Sequence, residues 1–173
     1  MLKKTNKLLF IMIFLLVTSL LSGCGNGTEE PEIKIHYGSE VLNPIYYGDL
    51  YNKEQEDIEK RFKDFMVGKR FSDLPIVAYG GKIQVEALNF ETEEIEIYDY
   101  VLDENANIVS EYNISPLSIS SVKEGIAEFT FEESLDLEMY QDFTIEGKLV
   151  HGLLIRCEID NNTFAFSTLV LGE

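Results

Sequence analysis

The side chains best suited to reactive chemistry are two cysteines and two histidines. Cys24 and Cys157 permit a disulfide, a metal or redox site, a nucleophile, or a point of covalent attachment. A zinc or redox site needs further ligands nearby, and the sequence has no HExxH, GxSxG, P-loop or CxxC spacing. His36 and His151 fall on separate predicted strands, where a surface or hydrogen-bonded role is the simpler interpretation. The sequence therefore predicts no catalytic residue and no cofactor.

One turn has the residue types of a calcium site. Asp103, Asn105 and Asn107 match the first three ligand positions of an EF-hand loop. Isoleucines stand at the glycine position and at the bidentate glutamate position of that loop, so the EF-hand itself is excluded. Two interpretations remain open: a looser calcium site that adds Glu104, and an ordinary Asn/Asp turn.

A tyrosine-rich loop is the candidate for recognition. Tyr46, Tyr47 and Tyr51 surround Gly48. Tyrosine offers a large contact area at a low entropic cost and is common at interfaces. The sequence predicts a binding loop here, and the alternative is that the rings pack the loop against the rest of the domain.

The first 23 residues have the pattern of a secretory signal. A lysine-rich head precedes Leu8–Leu21, an uncharged run of 14 residues, whereas a spanning helix needs roughly 20. The segment Leu21-Ser22-Gly23-Cys24 then resembles the lipobox of bacterial lipoproteins. This resemblance implies that the Cys24 thiol receives a diacylglyceryl group and that cleavage makes Cys24 the new N-terminus. An uncleaved membrane anchor and a Cys24–Cys157 disulfide are the alternatives.

Lipidation would fix the location of the protein. Two acyl chains anchor a protein stably, whereas one gives only marginal binding. The segment 24–32 is then the lipidated cysteine with a flexible Gly- and Glu-rich tether. Its eight residues after Cys24 reach at most about 26 Å. The predicted location is the extracytoplasmic face of a bacterial cell membrane.

The chain is strongly acidic. Its formal charge is −17, and it becomes −20 when residues 1–23, with their three lysines, are removed. Nucleic-acid binding needs a basic footprint and is excluded as a function. The charge also opposes flat contact with anionic lipid, since like charges repel within a Debye length. It attracts cations and cationic partners, although a merely solubilising surface gives the same composition.

The pattern after the tether predicts a single β-rich domain over residues 33–173. One amphipathic helix is expected near residues 53–66, with Ile58, Phe62, Phe65 and Met66 on its apolar face. From residue 76 onward the pattern alternates with period two, broken by turn signals. About seven short strands of this kind predict an antiparallel, immunoglobulin-like β-sandwich, although the chain has no Trp.

Three details of the strands are predicted. In "EEIEIYDYVLDE" the apolar positions shift by one residue after Ile97, which suggests a β-bulge. The strands "LVHGLLIRCEI" and "TFAFSTLVL" are joined by Asp160-Asn161-Asn162, a turn suited to positive φ, and both are apolar enough to be central. Cys157 alternates with Leu153 and Ile155, so it is predicted to lie in the core.

The segments "FKDFM", "LPIV", "GGKIQVEALNF" and "IEIYDYVLDENANI", with "GLLIRCEID" and "FAFSTLVL", resemble a group of small lipoproteins of Gram-positive bacteria. The resemblance covers residues 32–171. The Trp and Asn-Gly of that group's N-terminal loop are missing, with Tyr47-Gly48 in their place. The group carries no catalytic assignment, so the resemblance implies only the fold and the location.

The predicted function is a membrane-anchored binding module. Its lipid holds it at the membrane, and its loops or sheet edges meet an envelope protein, a wall component or a cation. Two alternatives are a hydrolase that uses a pair of carboxylates and a small accessory ligand-binding lipoprotein. The former predicts a concave acid pair, and the latter a pocket of several hundred Å³.

Overall fold

The computed structural model describes residues 30–49, 55–110, 116–133 and 137–173, which form two β-sheets, one α-helix and two short 3₁₀ helices. The segment Pro31–Glu173 is one compact unit. The strands are β1 Ile33–Tyr37, β2 Glu40–Leu42, β3 Ile45–Asp49, β4 Ile76–Val77, β5 Gly81–Ala87, β6 Glu94–Leu102, β7 Ser118–Ser121, β8 Ile126–Phe131, β9 Leu149–Ile159 and β10 Asn162–Gly172. Helix α1 is Gln55–Met66, and the 3₁₀ helices are Phe71–Asp73 and Leu137–Phe143.

The strands build two sheets of different size. The smaller sheet has the order β2-β1-β5-β8, and the larger sheet has the order β3-β10-β9-β6-β7. Strand β4 joins the larger sheet beside β10, and this is a parallel pair, whereas the other pairings are antiparallel. The protein is thus mainly β and forms the predicted sandwich. The described residues contain ten strands, more than the seven predicted, because the segments of β2, β3 and β4 were not expected to be strands. The immunoglobulin-like connectivity is not confirmed.

The core between the two sheets follows from the alternation of side chains along each strand. On β8, Ala127, Phe129 and Phe131 are buried, and the residues between them are exposed. On β9, Leu153 and Ile155 point toward the smaller sheet and join the same cluster. Burying each large apolar side chain contributes about 1.5–3 kcal/mol, so this cluster stabilises the pairing of the sheets.

A second core lies on the opposite face of the larger sheet, under α1. Ile58, Phe62 and Phe65 are buried there, as the helical spacing predicts. The Phe62 ring lies so close to β9 that a Cβ on Gly152 would come within 2.6 Å of it. Strand β9 is therefore covered on both faces, which explains its nearly continuous apolar sequence.

The predicted bulge in β6 is wrong. Strand β6 pairs with β9 in continuous register from Ile95 to Leu102. Its even-numbered apolar residues face α1, and its odd-numbered positions keep facing the smaller sheet. The pattern shifts because β6 is covered on both faces. The consequence is that Asp99 points into the space between the sheets.

Candidate functional site

The tyrosine loop falls only partly within the described residues. Tyr46 lies on β3, and its ring centroid is 5.3 Å from that of Phe166 and 6.2 Å from that of Phe164. Tyr46 therefore packs against the domain, which was the alternative to a binding role, because its ring contacts the core between the sheets. The side chain of Tyr47 and all of Tyr51 lie outside the described residues, so a binding role for them stays a prediction.

The turn proposed for calcium is held by its own hydrogen bonds. One carboxylate oxygen of Asp103 accepts the backbone N–H groups of Asn105 and Asn107, at 2.8 and 2.9 Å. The other oxygen accepts the Asn107 side-chain amide at 2.7 Å. Burial raises the pKa of Asp103, but these hydrogen bonds outweigh it and hold the pKa below its usual value. Glu104 is exposed.

This geometry favours the ordinary Asn/Asp turn, and a calcium site stays a prediction. Within residues 30–49, 55–110, 116–133 and 137–173, no cluster of three or more His, Cys, Asp or Glu side chains is placed to bind a metal.

At one end of the sandwich, three polar side chains form a line between the sheets. The fully buried His151 places Nδ1 2.9 Å from both carboxylate oxygens of Asp99. Its Nε2 lies 3.0 Å from the hydroxyl of Tyr79. Asp99 comes from β6, His151 from β9, and Tyr79 from the β4–β5 connection. Because Val101 pairs with His151, Asp99 and His151 are diagonal neighbours on one face. We call this the histidine end.

The histidine end is closely packed. The Phe131 ring lies edge-on to His151, with 4.9 Å between centroids, and it stacks on Tyr79 at 5.3 Å. Gly172 of β10 leaves room for the contact. A Cβ there would lie 2.5 Å from the Tyr79 hydroxyl and 2.7 Å from His151 Nε2. Any side chain at position 172 would therefore push the two groups apart.

The hydrogen bonds define the chemistry of this line. If Nδ1 carries the ring proton and donates it to Asp99, Nε2 is free to accept the Tyr79 hydroxyl proton. A hydroxyl, histidine and carboxylate in line also activate nucleophiles in enzymes. Here burial, with the nearby charges of Asp99 and Glu133, raises the pKa of Tyr79 to about 12. His151 is fully buried and Phe131 packs against both rings, so the line satisfies buried polar groups between the sheets.

The opposite end is an open groove of about 1320 Å³. It lies among the β5–β6, β7–β8 and β9–β10 connections, and we call it the groove end. Phe90 and Val122 line it and also pack against the core between the sheets. The groove thus combines a partly apolar floor with an acidic lining. Seven carboxylates line it: Glu91, Glu93, Glu94, Glu96, Glu124, Glu158 and Asp160.

Arg156 is a cation in this acidic lining. Its Nη1 donates to the Tyr98 hydroxyl at 3.1 Å and lies 3.6 Å from a Glu96 oxygen. Its Nε is buried and has no hydrogen-bond partner among the described residues. An unsatisfied buried donor is uncommon in folded proteins, and Arg156 is held in the lining by its Nη1 contacts with Tyr98 and Glu96.

The chain enters the domain at the groove end. Ile33 of β1 pairs with Ala87, and Ala87 lines the groove. Just before β1, the Glu32 backbone donates to the Asn89 side chain at 2.8 Å and accepts from the Leu88 backbone at 3.0 Å. Residue 32 is therefore fixed beside the connection that carries Phe90.

Cys24, the predicted lipidation site, lies outside the described residues. In the part of the chain that is described, no helix has the length and apolar character needed to cross a membrane.

Sequence reasoning missed the histidine end because of β6. Asp99 lies two residues from Ile97 and two from Val101, so alternation along a regular strand places it on the same face as they are, toward the space between the sheets. The predicted bulge would have placed Asp99 on the solvent face instead. His151 is also in register with Leu153 and Ile155. The sequence signal for this site was therefore that Asp99 and His151, both polar, occupy strand positions that alternate with core residues. Cys157, in contrast, is a buried free thiol as predicted, and burial raises its pKa to about 12.

Comparisons with known proteins add little. No family model matches the chain, and no curated protein matches it. A crystal structure of an engineered protein aligns at 7% identity and a TM-score of 0.35, over 58% of this chain and 18% of that one. The chain thus spans less than a fifth of that protein's length, and so weak a likeness supports no statement about fold or function. The resemblance to small lipoproteins stays a prediction.

Proposed function

We propose that the protein is a lipoprotein anchored to the outer face of a bacterial cell membrane and that the groove end is its binding surface. The anchor rests on the sequence, where an apolar run of signal length leads into Leu21-Ser22-Gly23-Cys24. The binding role rests chiefly on one observation, the open acidic groove among three connections of the sandwich. Loops at one end of a sandwich are well placed for recognition because the sheets hold them in position.

The shape and charge of the groove fit a macromolecular partner. Small-molecule pockets bury most of the ligand surface, whereas this groove is open to solvent. Carboxylates around an apolar floor attract a cationic partner and speed the encounter, and the floor then contributes apolar contact. The hydrolase and the accessory ligand-binding module remain alternatives with different readouts in the experiments below.

The anchor is tested by labelling cells with a fatty-acid analogue and separating the membrane fraction. We expect the protein to carry the label and to sediment with membranes, and Cys24→Ala to lose both. Cys157→Ala is the matched control, because the buried thiol has no role in attachment. A Cys24→Ala protein that still carries the label would contradict lipidation at this residue.

The binding surface is tested by photo-crosslinking in cells. A crosslinking amino acid replaces the exposed, groove-lining Glu91 in one variant and the exposed Glu132 beyond β8 in the other. We expect a crosslinked product of defined mass from position 91 and none from position 132. Equal products from both positions would remove the groove end as the binding surface. A small-ligand or hydrolytic role would give no macromolecular product from either.

A further inference from the structure

We infer that the groove binds a basic amphipathic peptide lying on the outer surface of the membrane. This inference rests on the proposed function, because it requires the lipid anchor and the groove. It adds the chemistry of the partner and the orientation of the domain. Three observations carry it: where the chain enters the domain, how long the tether is, and what lines the groove.

The entry point of the chain places the groove close to the bilayer. Residue 32 is hydrogen-bonded to the β5–β6 connection, which lines the groove. Between Cys24 and that residue the chain spans at most about 26 Å. The 11 residues of β9 extend roughly 35 Å toward the histidine end. The groove end can therefore stay near the lipid headgroups while the histidine end lies farther out.

The lining selects a cationic occupant. Seven carboxylates against the single Arg156 guanidinium give the described lining an excess of negative charge. Anionic lipid headgroups repel such a surface within about 8 Å at physiological salt. A basic occupant between the groove and the membrane neutralises both surfaces, so the electrostatic energy favours it most where the tether holds the groove.

The apolar residues of the groove, and the location of the protein on the outer side of the membrane, restrict the class of partner further. Phe90 and Val122 offer apolar contact in the groove, which suits leucine or aromatic side chains interleaved with lysine or arginine. Basic segments that flank membrane spans face the cytoplasm. Basic amphipathic peptides, in contrast, lie on the surface of anionic membranes and can do so on the outer side.

The orientation is measured with the lipidated protein in phosphatidylcholine vesicles. A thiol-reactive fluorophore is placed at Glu91→Cys or at Glu132→Cys. The buried Cys157 thiol, with its pKa near 12, does not compete for the label. We expect a quencher attached to lipid headgroups to dim the label at position 91 more than the label at position 132. Equal or reversed quenching would overturn the orientation.

The partner is probed in the same vesicles with a fluorescent peptide of leucines and lysines at helical spacing. Two comparison peptides replace the leucines by serines or the lysines by glutamates. The Glu94→Gln, Glu124→Gln, Glu158→Gln variant neutralises three exposed groove positions. The control neutralises three exposed acids outside the groove lining: Glu40→Gln, Glu132→Gln and Glu146→Gln.

We expect the groove variant to bind the leucine–lysine peptide about tenfold more weakly, the sum of three weakened charge contacts. The control variant should change less than about twofold, since none of its three positions lines the groove and salt screens exposed charges that are not in contact. The serine–lysine peptide should bind more weakly, and the glutamate peptide should not bind. If both variants bind alike, or if the serine peptide binds as well as the leucine peptide, the inference fails.

The two proposals fail separately. Loss of the fatty-acid label on wild-type protein would remove the anchor, whatever the peptide does. An intact anchor and a crosslink from position 91, together with a peptide affinity that ignores the groove variant, would leave the proposed function standing and overturn this partner.

Discussion

The two ends of the sandwich hold their charged side chains in opposite environments, buried at one end and exposed to solvent at the other. At the histidine end, Asp99 and His151 lie between the sheets and are paired at 2.9 Å. At the groove end, carboxylates gather around an open groove, with Arg156 as a cation among them. Burial makes a charge costly unless it is paired, whereas an exposed carboxylate costs little and attracts partners. The difference indicates that the histidine end contributes stability, and it is consistent with the recognition role that we propose for the groove end.

The largest expected effect is at His151. Replacing it with alanine leaves the Asp99 carboxylate largely buried without its partner, so the free energy of unfolding should fall by roughly 3–5 kcal/mol. Urea denaturation followed by circular dichroism measures this. His36→Ala is the matched control, because its Nε2 lies 3.7 Å from Glu86 on an exposed face, and it should cost less than about 1 kcal/mol. Similar losses of unfolding free energy in both variants would contradict a special stabilising role for the histidine end.

The next effect is at Gly172. Alanine there forces Tyr79 and His151 apart, and we expect a loss of about 1–3 kcal/mol. The loss should shrink when Tyr79→Phe is also present, since the clash involves the tyrosine hydroxyl. A double-mutant cycle by urea denaturation measures the coupling. Strictly additive losses would show that the crowding lies elsewhere.

Tyr79→Phe alone should cost about 1 kcal/mol, because the hydrogen bond to His151 is lost. It also predicts a pH dependence. The pKa of Tyr79 is raised in the folded state to about 12, against about 10 unfolded. Its contribution is therefore fully present below about pH 10 and is lost as the pH rises toward 12.

Unfolding at a series of alkaline pH values tests this dependence. The wild type should lose stability more steeply than Tyr79→Phe between about pH 10 and 12. Cys157 titrates in the same range in both proteins, so the difference between them isolates Tyr79. Parallel curves would contradict the raised pKa of Tyr79 in the folded state.

The smallest effect on stability is expected at the groove end. The variant with Glu94→Gln, Glu124→Gln and Glu158→Gln should unfold within about 0.5 kcal/mol of the wild type. Any change should be an increase, because neutralising crowded carboxylates relieves repulsion. Thermal unfolding at low ionic strength measures the sign. A marked loss would mean that these side chains hold the connections together, which is a stabilising role.

The same contrast explains what the sequence predicts well. Alternation along β8, helical spacing in α1 and the Asp160–Asn161 turn are local patterns, and the structure confirms them, with φ of 51° and 62° at the two turn residues. Cys157 was placed correctly because its neighbours on β9 alternate without a break. The predicted bulge in β6 failed because a strand covered on both faces loses its alternation.

The sites were harder to predict than the fold. The contact of Asp99 and His151 depends on the pairing of strands that lie 52 positions apart in sequence, and Tyr79 reaches them from a third segment. The groove likewise joins three connections that are distant in sequence. No local spacing contains such pairings, so composition could predict acidity but not where the acids gather.

The division between the two ends is tested most directly by measuring one affinity on two variants. The leucine–lysine peptide is titrated against the vesicle-bound protein carrying Tyr79→Phe and against the groove variant. We predict that Tyr79→Phe, although less stable, binds the peptide within about twofold of the wild type, and that the groove variant, although as stable as the wild type, binds about tenfold more weakly. Equal weakening by both variants would contradict the division and show that the ends do not act independently.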